Sequence, residues 1–225
     1  MVPFSFCGEA MRLVHGRALF WERERALLVA DLHLEKSSFF ARHGQMLPPY
    51  DSRETLERLA LAVRETGARR VFALGDNFHD SSGTQRLEPH AAGMLGALTR
   101  ALDWVWITGN HDPVLERLAG GEPVAELAVA GLVLRHKARA EETMPEMSGH
   151  YHPRLTVAAR GRRIARACVV HSERRLILPA FGSLTGGMDA ADPAIVSAMQ
   201  PARAIDALLP ATGRLVRYPL WRAAA

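Results

Sequence analysis

Cysteine is scarce in this sequence, which contains two cysteines in 225 residues. Cys7 and Cys168 lie far apart along the chain, and neither belongs to a C-x-x-C pair. This spacing argues against a disulfide framework and against a zinc site built from thiolates. We therefore expect both thiols to be reduced and buried.

Long apolar runs are also missing. No stretch reaches the roughly 18 to 20 residues that a membrane-spanning helix needs. The segment from Met1 to Ala10 has neither the basic region nor the following apolar region of a secretory signal. We expect a protein that does not span a membrane and that resides in the cytoplasm.

Lysine is the rarest charged residue, since Lys36 and Lys137 are the only lysines among 28 basic residues. The formal net charge of +4 and the pI of about 9.6 favour a polyanionic partner without establishing one. The chain is also rich in alanine, so a GC-rich genome explains much of the arginine content. With 48% hydrophobic and 23% charged residues, the composition is that of a globular protein, and the length predicts one domain over residues 1–225.

Strands and helices alternate in the first half of the chain. Apolar segments predict strands at 11–14, 17–21, 26–30, 71–74 and 104–107. Asp51 and Glu54 resemble a capping box, and the apolar spacing that follows predicts a helix that ends at Gly67. A second helix is predicted over 88–102. The second half predicts short strands, mostly in hairpins, at 124–129, 132–136, 155–160, 164–170 and 176–178, with Gly161 in a turn.

Polar clusters follow the three most apolar strands at the point where each strand ends. Asp31 and His33 follow 26–30, Asp76 follows 71–74, and residues 109–112 follow 104–107. Each cluster alone has a structural interpretation as a loop cap or a turn, and Asp112 before Pro113 fits a helix N-cap. Together they supply only oxygen and imidazole groups at strand ends, where ligands bind in layered α/β folds.

In their order along the chain, these clusters resemble the five motifs of the calcineurin-like metallophosphoesterase superfamily. The motifs are D-x-H, G-D, G-N-H-(D/E), a single His after an apolar strand, and G-H-x-H. Here they are Asp31-Leu32-His33, Gly75-Asp76, Gly109-Asn110-His111-Asp112, His136 and Gly149-His150-Tyr151-His152. The wider sequence, from Ala30 to Lys36 and on through Gly44 and Tyr50, is similar to the bacterial ligase-associated DNA damage response endonucleases.

The resemblance implies both a fold and a set of metal ligands. The implied fold is a four-layer α/β/β/α sandwich of two mixed sheets. The implied ligands are Asp31, His33 and His152 for one divalent cation, Asn110, His136 and His150 for a second, and Asp76 as a bridge between them. A bridging anion is needed because cations about 3.5 to 4 Å apart repel each other strongly. Mn²⁺ is the cation that the resemblance favours, with Fe, Mg²⁺ or Zn²⁺ as alternatives.

Three further residues receive roles from the same comparison. His111 matches the family's catalytic histidine, which is not a ligand and which stabilises the transition state or protonates the leaving oxygen. Asp112 would orient the His111 ring. Many relatives carry Asp-Arg three and four residues after the Asp of Gly-Asp, whereas this chain has His79 and Asp80. We predict that His79 contacts phosphate or acts as an outer ligand, with a structural hydrogen bond as an equal alternative.

An arginine-rich segment follows the last motif and contains one acid, Glu173. Its arginines are Arg154, Arg160, Arg162, Arg163, Arg166, Arg174 and Arg175. Arg160, Arg162 and Arg163 are the predicted substrate-binding residues, because a basic hairpin can follow a phosphate backbone. A solvated hairpin edge is the equal alternative.

The predicted function is hydrolysis of phosphodiester bonds in DNA, single-stranded DNA being one candidate form. The branch implies a role in DNA repair with an ATP-dependent DNA ligase, a helicase and an exonuclease. A phosphomonoesterase or small nucleotide hydrolase is the alternative, because the cations do not themselves distinguish monoesters from diesters. A non-catalytic scaffold is disfavoured, because His111 and all of the implied ligands are present.

Overall fold

The computed structural model describes residues 1–115, 120–159 and 161–224. The first sheet contains, in this spatial order, β1 (Val2–Phe6), β2 (Glu9–Val14), β3 (Ala18–Trp21), β4 (Ala26–Val29), β5 (Arg70–Leu74), β6 (Asp103–Ile107) and β7 (Glu122–Val124). The remaining strands are β8 (Glu126–Val129), β9 (Leu132–Arg135), β10 (Glu146–Ser148), β11 (Arg154–Ala159), β12 (Arg162–Ala167), β13 (Val169–His171), β14 (Arg175–Ile177), β15 (Ala204–Ala211) and β16 (Arg214–Arg222). All of these except the separate β11–β12 hairpin form the second sheet, in the order β16-β15-β13-β14-β10-β9-β8.

The helices are short and lie outside the sheets. They are α1 (Lys36–Arg42), α2 (Asp51–Thr66), α3 (Pro89–Ala101) and α4 (Pro193–Ala198), with a 3₁₀ turn at Gly83–Gln85. Among the described residues, no helix combines the length and the apolar character needed to cross a membrane.

Three apolar clusters separate four layers. The largest cluster lies between the two sheets and joins Phe72 and Leu74 of the first to Leu134 and Met147 of the second. A second cluster packs α2 and α3 against the outer face of the first sheet, and a third packs α4 against the outer face of the second. The predicted α/β/β/α sandwich of two mixed sheets is therefore confirmed.

The uniformly apolar strands are those with two covered faces. In β5, Phe72 and Leu74 face the second sheet, whereas Val71 and Ala73 face the helices. Side chains alternate along a strand, so a strand buried on both faces must be apolar at every position. β4 to β7 pair in parallel, and β10 is parallel to both β9 and β14. Parallel pairing brings the carboxyl ends of these strands to one edge of each sheet.

Two predicted strands are wrong, because each is divided between different sheets. Segment 124–129 contains the end of β7, which pairs with β6, and all of β8, which pairs with β9. Segment 164–170 contains the end of β12, which pairs only within its hairpin, and the start of β13, which pairs with β14 and β15. In both segments the strand pattern of the sequence runs on from one strand into the next. Only the pairing partners show that each segment contains two strands. The sequence analysis also missed β1, β10, β15, β16, α1 and α4.

The predicted capping box at Asp51 is wrong, although the helix is present. α2 begins at Asp51, and its N-cap residue is Tyr50, which makes no side-chain cap hydrogen bond. The Asp51 carboxylate instead accepts hydrogen bonds from the backbone N–H and the hydroxyl of Ser37, at 3.0 and 2.5 Å. Asp51 therefore joins α2 to α1. The helix ends at Gly67, in the left-handed conformation, as predicted.

The two thiols lie in different environments. Cys168 is buried, and burial raises the pKa of its thiol to about 12. Cys7 is exposed in the turn between β1 and β2, so the expectation that both thiols are buried is wrong for Cys7. Both cysteines are free, as expected.

Candidate metal centre

The predicted ligands come together where the two sheets present the carboxyl ends of their parallel strands. Asp31 and His33 follow β4, and Asp76 follows β5. Backbone hydrogen bonds tie these two loops, since the His33 N–H donates to the Asp76 carbonyl at 2.9 Å. The His150 N–H, which follows β10, donates to both carboxylate oxygens of Asp31 at 3.0 and 3.1 Å. This last contact joins the loops of the two sheets.

Left-handed backbone is concentrated at these loops. The positive φ angles among the predicted ligands are those of Asp31 (53°), His33 (44°), Asp76 (47°), His150 (75°) and His152 (49°). Residues other than glycine rarely adopt this conformation, and each instance costs about 1 to 3 kcal/mol. Such strain persists only where surrounding contacts enforce it, and it is typical of functional sites.

A first group of ligand atoms contains Asp31, His33 and His152, all within 4.8 Å of one another. His152 Nε2 lies 3.3 Å from His33 Nε2 and 3.4 Å from Asp31 Oδ1. Asp31 is completely buried, and His33 is nearly so. A buried carboxylate beside two imidazole nitrogens is a set of donors suited to a divalent cation.

A second group contains Asp76, His136 and His150, again within 4.8 Å. His136 Nε2 lies 2.9 Å from Asn110 Oδ1, 3.1 Å from His150 Nδ1 and 3.4 Å from Asp76 Oδ1. His136 Nδ1 lies 3.1 Å from the Leu74 carbonyl, which can only accept, so Nδ1 carries the ring proton. Nε2 is the ring nitrogen that lies near two oxygen atoms, and this set of imidazole and oxygen donors fits a divalent cation.

Asp76 lies between the two groups. Its Oδ1 faces His136 Nε2 at 3.4 Å, and its Oδ2 faces His33 Nε2 at 3.9 Å. One carboxylate thus presents one oxygen to each group, a position from which it could be shared by two cations.

Burial favours the neutral form of two of these imidazoles. Burial and, after it, the charges of His152, His111 and His79 together lower the pKa of His33 to about 2. Burial, followed by the charge of His136, lowers the pKa of His150 to about 4. Neutral imidazole is the form that binds metal ions, so the site does not need to release protons from these rings first.

The His111 ring is oriented by a backbone carbonyl rather than by Asp112. His111 Nδ1 lies 2.9 Å from the carbonyl oxygen of His79, so Nδ1 donates, and Nε2 faces the site 4.0 Å from Asp76 Oδ2. The carboxylate of Asp112 accepts from the backbone N–H groups of Asn77, Phe78 and Gly109, at 2.8, 3.1 and 2.9 Å. The interpretation of Asp112 as the group that orients His111 is therefore wrong. Asp112 holds the loops after β5 and β6 together.

His79 lies beside the first group, at its outer side. Its Nδ1 is 3.4 Å from His33 Nδ1, and its ring stacks on His111 with centroids 5.0 Å apart. Phe39 and Phe40 of α1 pack against the same ring. Burial, followed by the charge of His111, lowers the pKa of His79 to about 4. Both the position and the neutral ring are compatible with the predicted outer-ligand role.

Two motif glycines leave space that a ligand carboxylate occupies. A Cβ at Gly109 would overlap Asp76 Oδ1, and a Cβ at Gly149 would lie 2.6 Å from Asp31 Oδ2. Neither glycine has positive φ, so close approach, rather than backbone conformation, explains their presence.

Replacing Gly109 by Ala is therefore expected to displace Asp76 and to weaken metal binding about 10- to 100-fold, the usual cost of disturbing a ligand's support. Titration of metal-free protein with Mn²⁺ measures this effect. Gly93→Ala is the matched control, because Gly93 lies in α3 with nothing near the added Cβ. That control should bind metal normally and gain up to about 1 kcal/mol of stability. Normal metal binding by the Gly109 variant would contradict the assigned contact.

The arginines of the predicted DNA-binding segment are scattered. Arg160 lies outside the described residues. Arg162 and Arg163 are exposed on β12, as adjacent strand residues on opposite faces. Arg175 is buried and paired with Glu146 at 2.7 Å, so it is not available to a ligand. Including Arg175 in a DNA-binding surface was wrong.

Two other arginines lie near His152 and were not predicted to act together. Arg17 and Arg154 line one depression with His152. Arg17 precedes β3, and no sequence signal connects it with residues after β10. The pair is brought together only by the packing of the two sheets.

The fold and the site together define a class of protein. It is an α/β sandwich of two mixed sheets whose strand-end loops present several histidine and aspartate groups able to hold metal ions. Neither the protein-family models nor the curated proteins give a match to this sequence. Among solved structures, the chain is similar to Pseudomonas putida nuclease MPE, with a TM-score of 0.71 and 28% sequence identity. The similarity covers 97% of this chain and 98% of that chain.

Proposed function

We propose that this protein is a two-metal phosphodiesterase that hydrolyses phosphodiester bonds in DNA. The observation that carries the proposal is a pair of neighbouring groups of ligand atoms, each within 4.8 Å: Asp31 with His33 and His152, and Asp76 with His136 and His150. The similarity in fold to a protein described as a nuclease supports a nucleic acid as the substrate.

In this proposal Asp31, His33 and His152 bind the first cation, and Asn110, His136 and His150 bind the second. Asp76 would be shared between the two cations. Mn²⁺ is the proposed cation because the resemblance favours it, and donors of oxygen and imidazole nitrogen without sulfur suit it along with Fe, Mg²⁺ or Zn²⁺. Two bound cations would stabilise charge on the phosphoryl oxygens and lower the pKa of a water molecule to near neutrality.

His111 is the proposed catalytic residue that does not bind metal. Its Nδ1 donates to the His79 carbonyl, which leaves Nε2 directed at the site. When Nε2 carries a proton, it can donate to the leaving oxygen or to a negatively charged phosphoryl oxygen. His79, stacked on His111, is proposed to contact the phosphate or act as an outer ligand. Asp112 acts in this scheme only by holding the loop that carries His111.

The resemblance to ligase-associated endonucleases extends the proposal to DNA repair in the cytoplasm. The implied functional partners are an ATP-dependent DNA ligase, a helicase and an exonuclease, and single-stranded DNA is the proposed form of the substrate. The net charge of +4 supports an anionic substrate, although it does not select among them.

The proposal is tested by measuring hydrolysis of several substrates with each of several metals. Metal-free protein should show no hydrolysis of a chromogenic phosphodiester, and activity should return best with Mn²⁺, whose weak intrinsic affinity makes the site easy to empty. Circular single-stranded DNA should be cleaved under the same conditions, and the matching monoester should be hydrolysed more slowly. Full activity in metal-free protein would exclude the two-metal mechanism. A clear preference for the monoester would favour a phosphomonoesterase instead.

A further inference from the structure

A basic groove leads away from the metal centre on the side of His152. Two adjoining depressions share Arg17, Arg154 and Ala167, and the inner one reaches His152. The outer one continues between Ala165 of β12 and Pro210 of β15. We call this path the basic groove and define it by Arg17, Arg154, Ala165 and Ala167.

The arginines of the basic groove lack acidic partners. Among the described residues, neither Arg17 nor Arg154 forms an ion pair with a carboxylate, whereas the buried Arg175 pairs with Glu146. Arg17 Nη1 donates to the Ala180 carbonyl at 2.7 Å. Burial, followed by the like charges of Arg58 and Arg154, lowers the pKa of the Arg17 guanidinium. The groove therefore holds cations close together with little to neutralise them.

The guanidinium of Arg154 lies beside the groove. Its Nη2 donates to the Ala165 carbonyl at 3.3 Å, at an exposed position, whereas its Nε is shielded from solvent. Its side-chain stem is fixed against Gly187, where an added Cβ would overlap it. A guanidinium suits the oxygen atoms of a phosphate, and Arg154 would meet one through its terminal nitrogens.

The register of the β11–β12 hairpin shows which of its other residues lie on the same face as Arg154. Arg154 pairs with Ala167, and Ala158 pairs with Arg163. Paired residues share a face and every second residue returns to it, so Arg163 lies on the face of Arg154, Ala165 and Ala167. The separation of Arg154 and Arg163 along the hairpin is four residues, about 13 Å.

Arg162 lies on the opposite face of this hairpin, one strand position from Arg163. That face carries Leu155 and Val157, which pack into the apolar cluster beneath the second sheet. The register therefore separates Arg163 from Arg162 by strand face, although Arg166, on the face of Arg162, also lines the groove at the other end of the hairpin.

We propose that the basic groove binds the phosphate backbone of the nucleic-acid substrate on the His152 side of the metal centre, through Arg154 and Arg163. This inference rests on the proposed function and names the surface that would hold the substrate. Arg17 supplies positive charge where the groove meets the metal centre. A path of this length suits several nucleotides of an extended strand, since single-strand sites range over about 4 to 16 nucleotides.

The test compares Arg154→Gln, Arg163→Ala and Arg162→Ala for binding to a labelled single-stranded DNA of about 20 nucleotides, which exceeds such a site. Binding is measured by fluorescence anisotropy at several salt concentrations, with Mn²⁺-loaded protein that also carries His111→Ala to suppress cleavage. Arg154→Gln and Arg163→Ala should each weaken binding about 3- to 10-fold. Each should also reduce the slope of log K against log salt by about 0.7, the value for one phosphate contact on a single strand.

Arg162→Ala removes the same charge one residue away, and it should leave both the affinity and the salt slope close to their original values. Arg154→Lys should restore the salt slope lost in Arg154→Gln. Equal weakening by Arg162→Ala and Arg163→Ala would show that the hairpin acts only as diffuse charge, and would overturn the assignment. Unchanged binding in both Arg154→Gln and Arg163→Ala would overturn it as well.

Hydrolysis of a small chromogenic diester separates this inference from the proposed function. In the background with intact His111, the groove variants should turn over the small diester at the rate of the unaltered protein, because that substrate reaches only the metal centre. Failure of the unaltered protein to hydrolyse any diester would reject the proposed function. The anisotropy measurements would still show whether the basic groove binds single-stranded DNA. Equal losses on DNA and on the small diester in Arg154→Gln would show that Arg154 only supports His152, and would overturn its assigned role.

Discussion

An Asp76→Ala protein is expected to lose most of its bound metal and roughly 10⁴-fold in kcat/KM, the scale seen when a central member of a catalytic unit is removed. Asp76 is 2% exposed, and its two oxygens face His136 and His33. Removing the carboxylate leaves two cations without an anion between them, and their repulsion then opposes binding of the second. Elemental analysis gives the occupancy, and turnover of the chromogenic diester gives the rate.

Asp103→Ala is the matched control for this experiment. Asp103 begins β6, at the end of the sheet away from the metal centre, and pairs with Arg70 in an exposed ion pair. Loss of an exposed pair costs only about 0 to 1 kcal/mol, so metal content and rate should be unchanged. Full occupancy in Asp76→Ala would mean that Asp76 is not a bridge.

A His111→Ala protein is expected to keep its metal and to lose a factor of roughly 10² to 10⁴ in kcat, the usual contribution of a positioned acid. The reason for retained metal lies in the backbone. The hydrogen bond from His111 to Asp76 Oδ1, at 2.9 Å, comes from the backbone N–H, which alanine preserves. The ring itself faces the site through Nε2 and is among the more exposed groups of the centre.

Elemental analysis and steady-state kinetics on the same preparation check both parts of this prediction. His90→Ala is the control, because His90 is exposed in the first turn of α3 and belongs to none of the groups able to hold a metal among the described residues. An empty metal centre in His111→Ala would show that the His111 ring is a ligand. An unchanged rate in a His111→Ala protein that keeps its full metal content would show that His111 has no catalytic role.

Much of the architecture was predictable because the spacing of apolar residues along a segment shows whether a strand or helix is buried on one face or on both. The uniformly apolar segments at β4, β5 and β6 indicated central strands, and the apolar spacing before Gly67 indicated α2. Among the strands that were missed, β1 and β16 lie at sheet edges and carry exposed residues, so their apolar signal is weaker. β10 is only three residues long and begins with Glu146, and β15 is interrupted by Asp206 and Pro210, although most of both strands is buried.

From the motifs, the candidate site could be proposed as a set of residues but not as a set of contacts. Parallel pairing of β4 with β5 brings Asp31 and Asp76 to one edge of the first sheet. His136 follows β9 of the second sheet, so it meets them only through the packing of the two sheets. The same motif could not show that Asp112 bonds to three backbone N–H groups, because those groups belong partly to the neighbouring loop after β5.

The sequence by itself determined which side chains could be proposed as metal ligands, because their motifs stand in a fixed order and several follow strands with a clear apolar pattern. Only the tertiary structure decided which arginines accompany them. Arg17 and Arg154 come from different sheets, and Arg162 and Arg163 are separated by the register of one hairpin. The number of arginines in a segment cannot show which of them face the groove. That depends on strand pairing and on packing between residues that are far apart in the sequence.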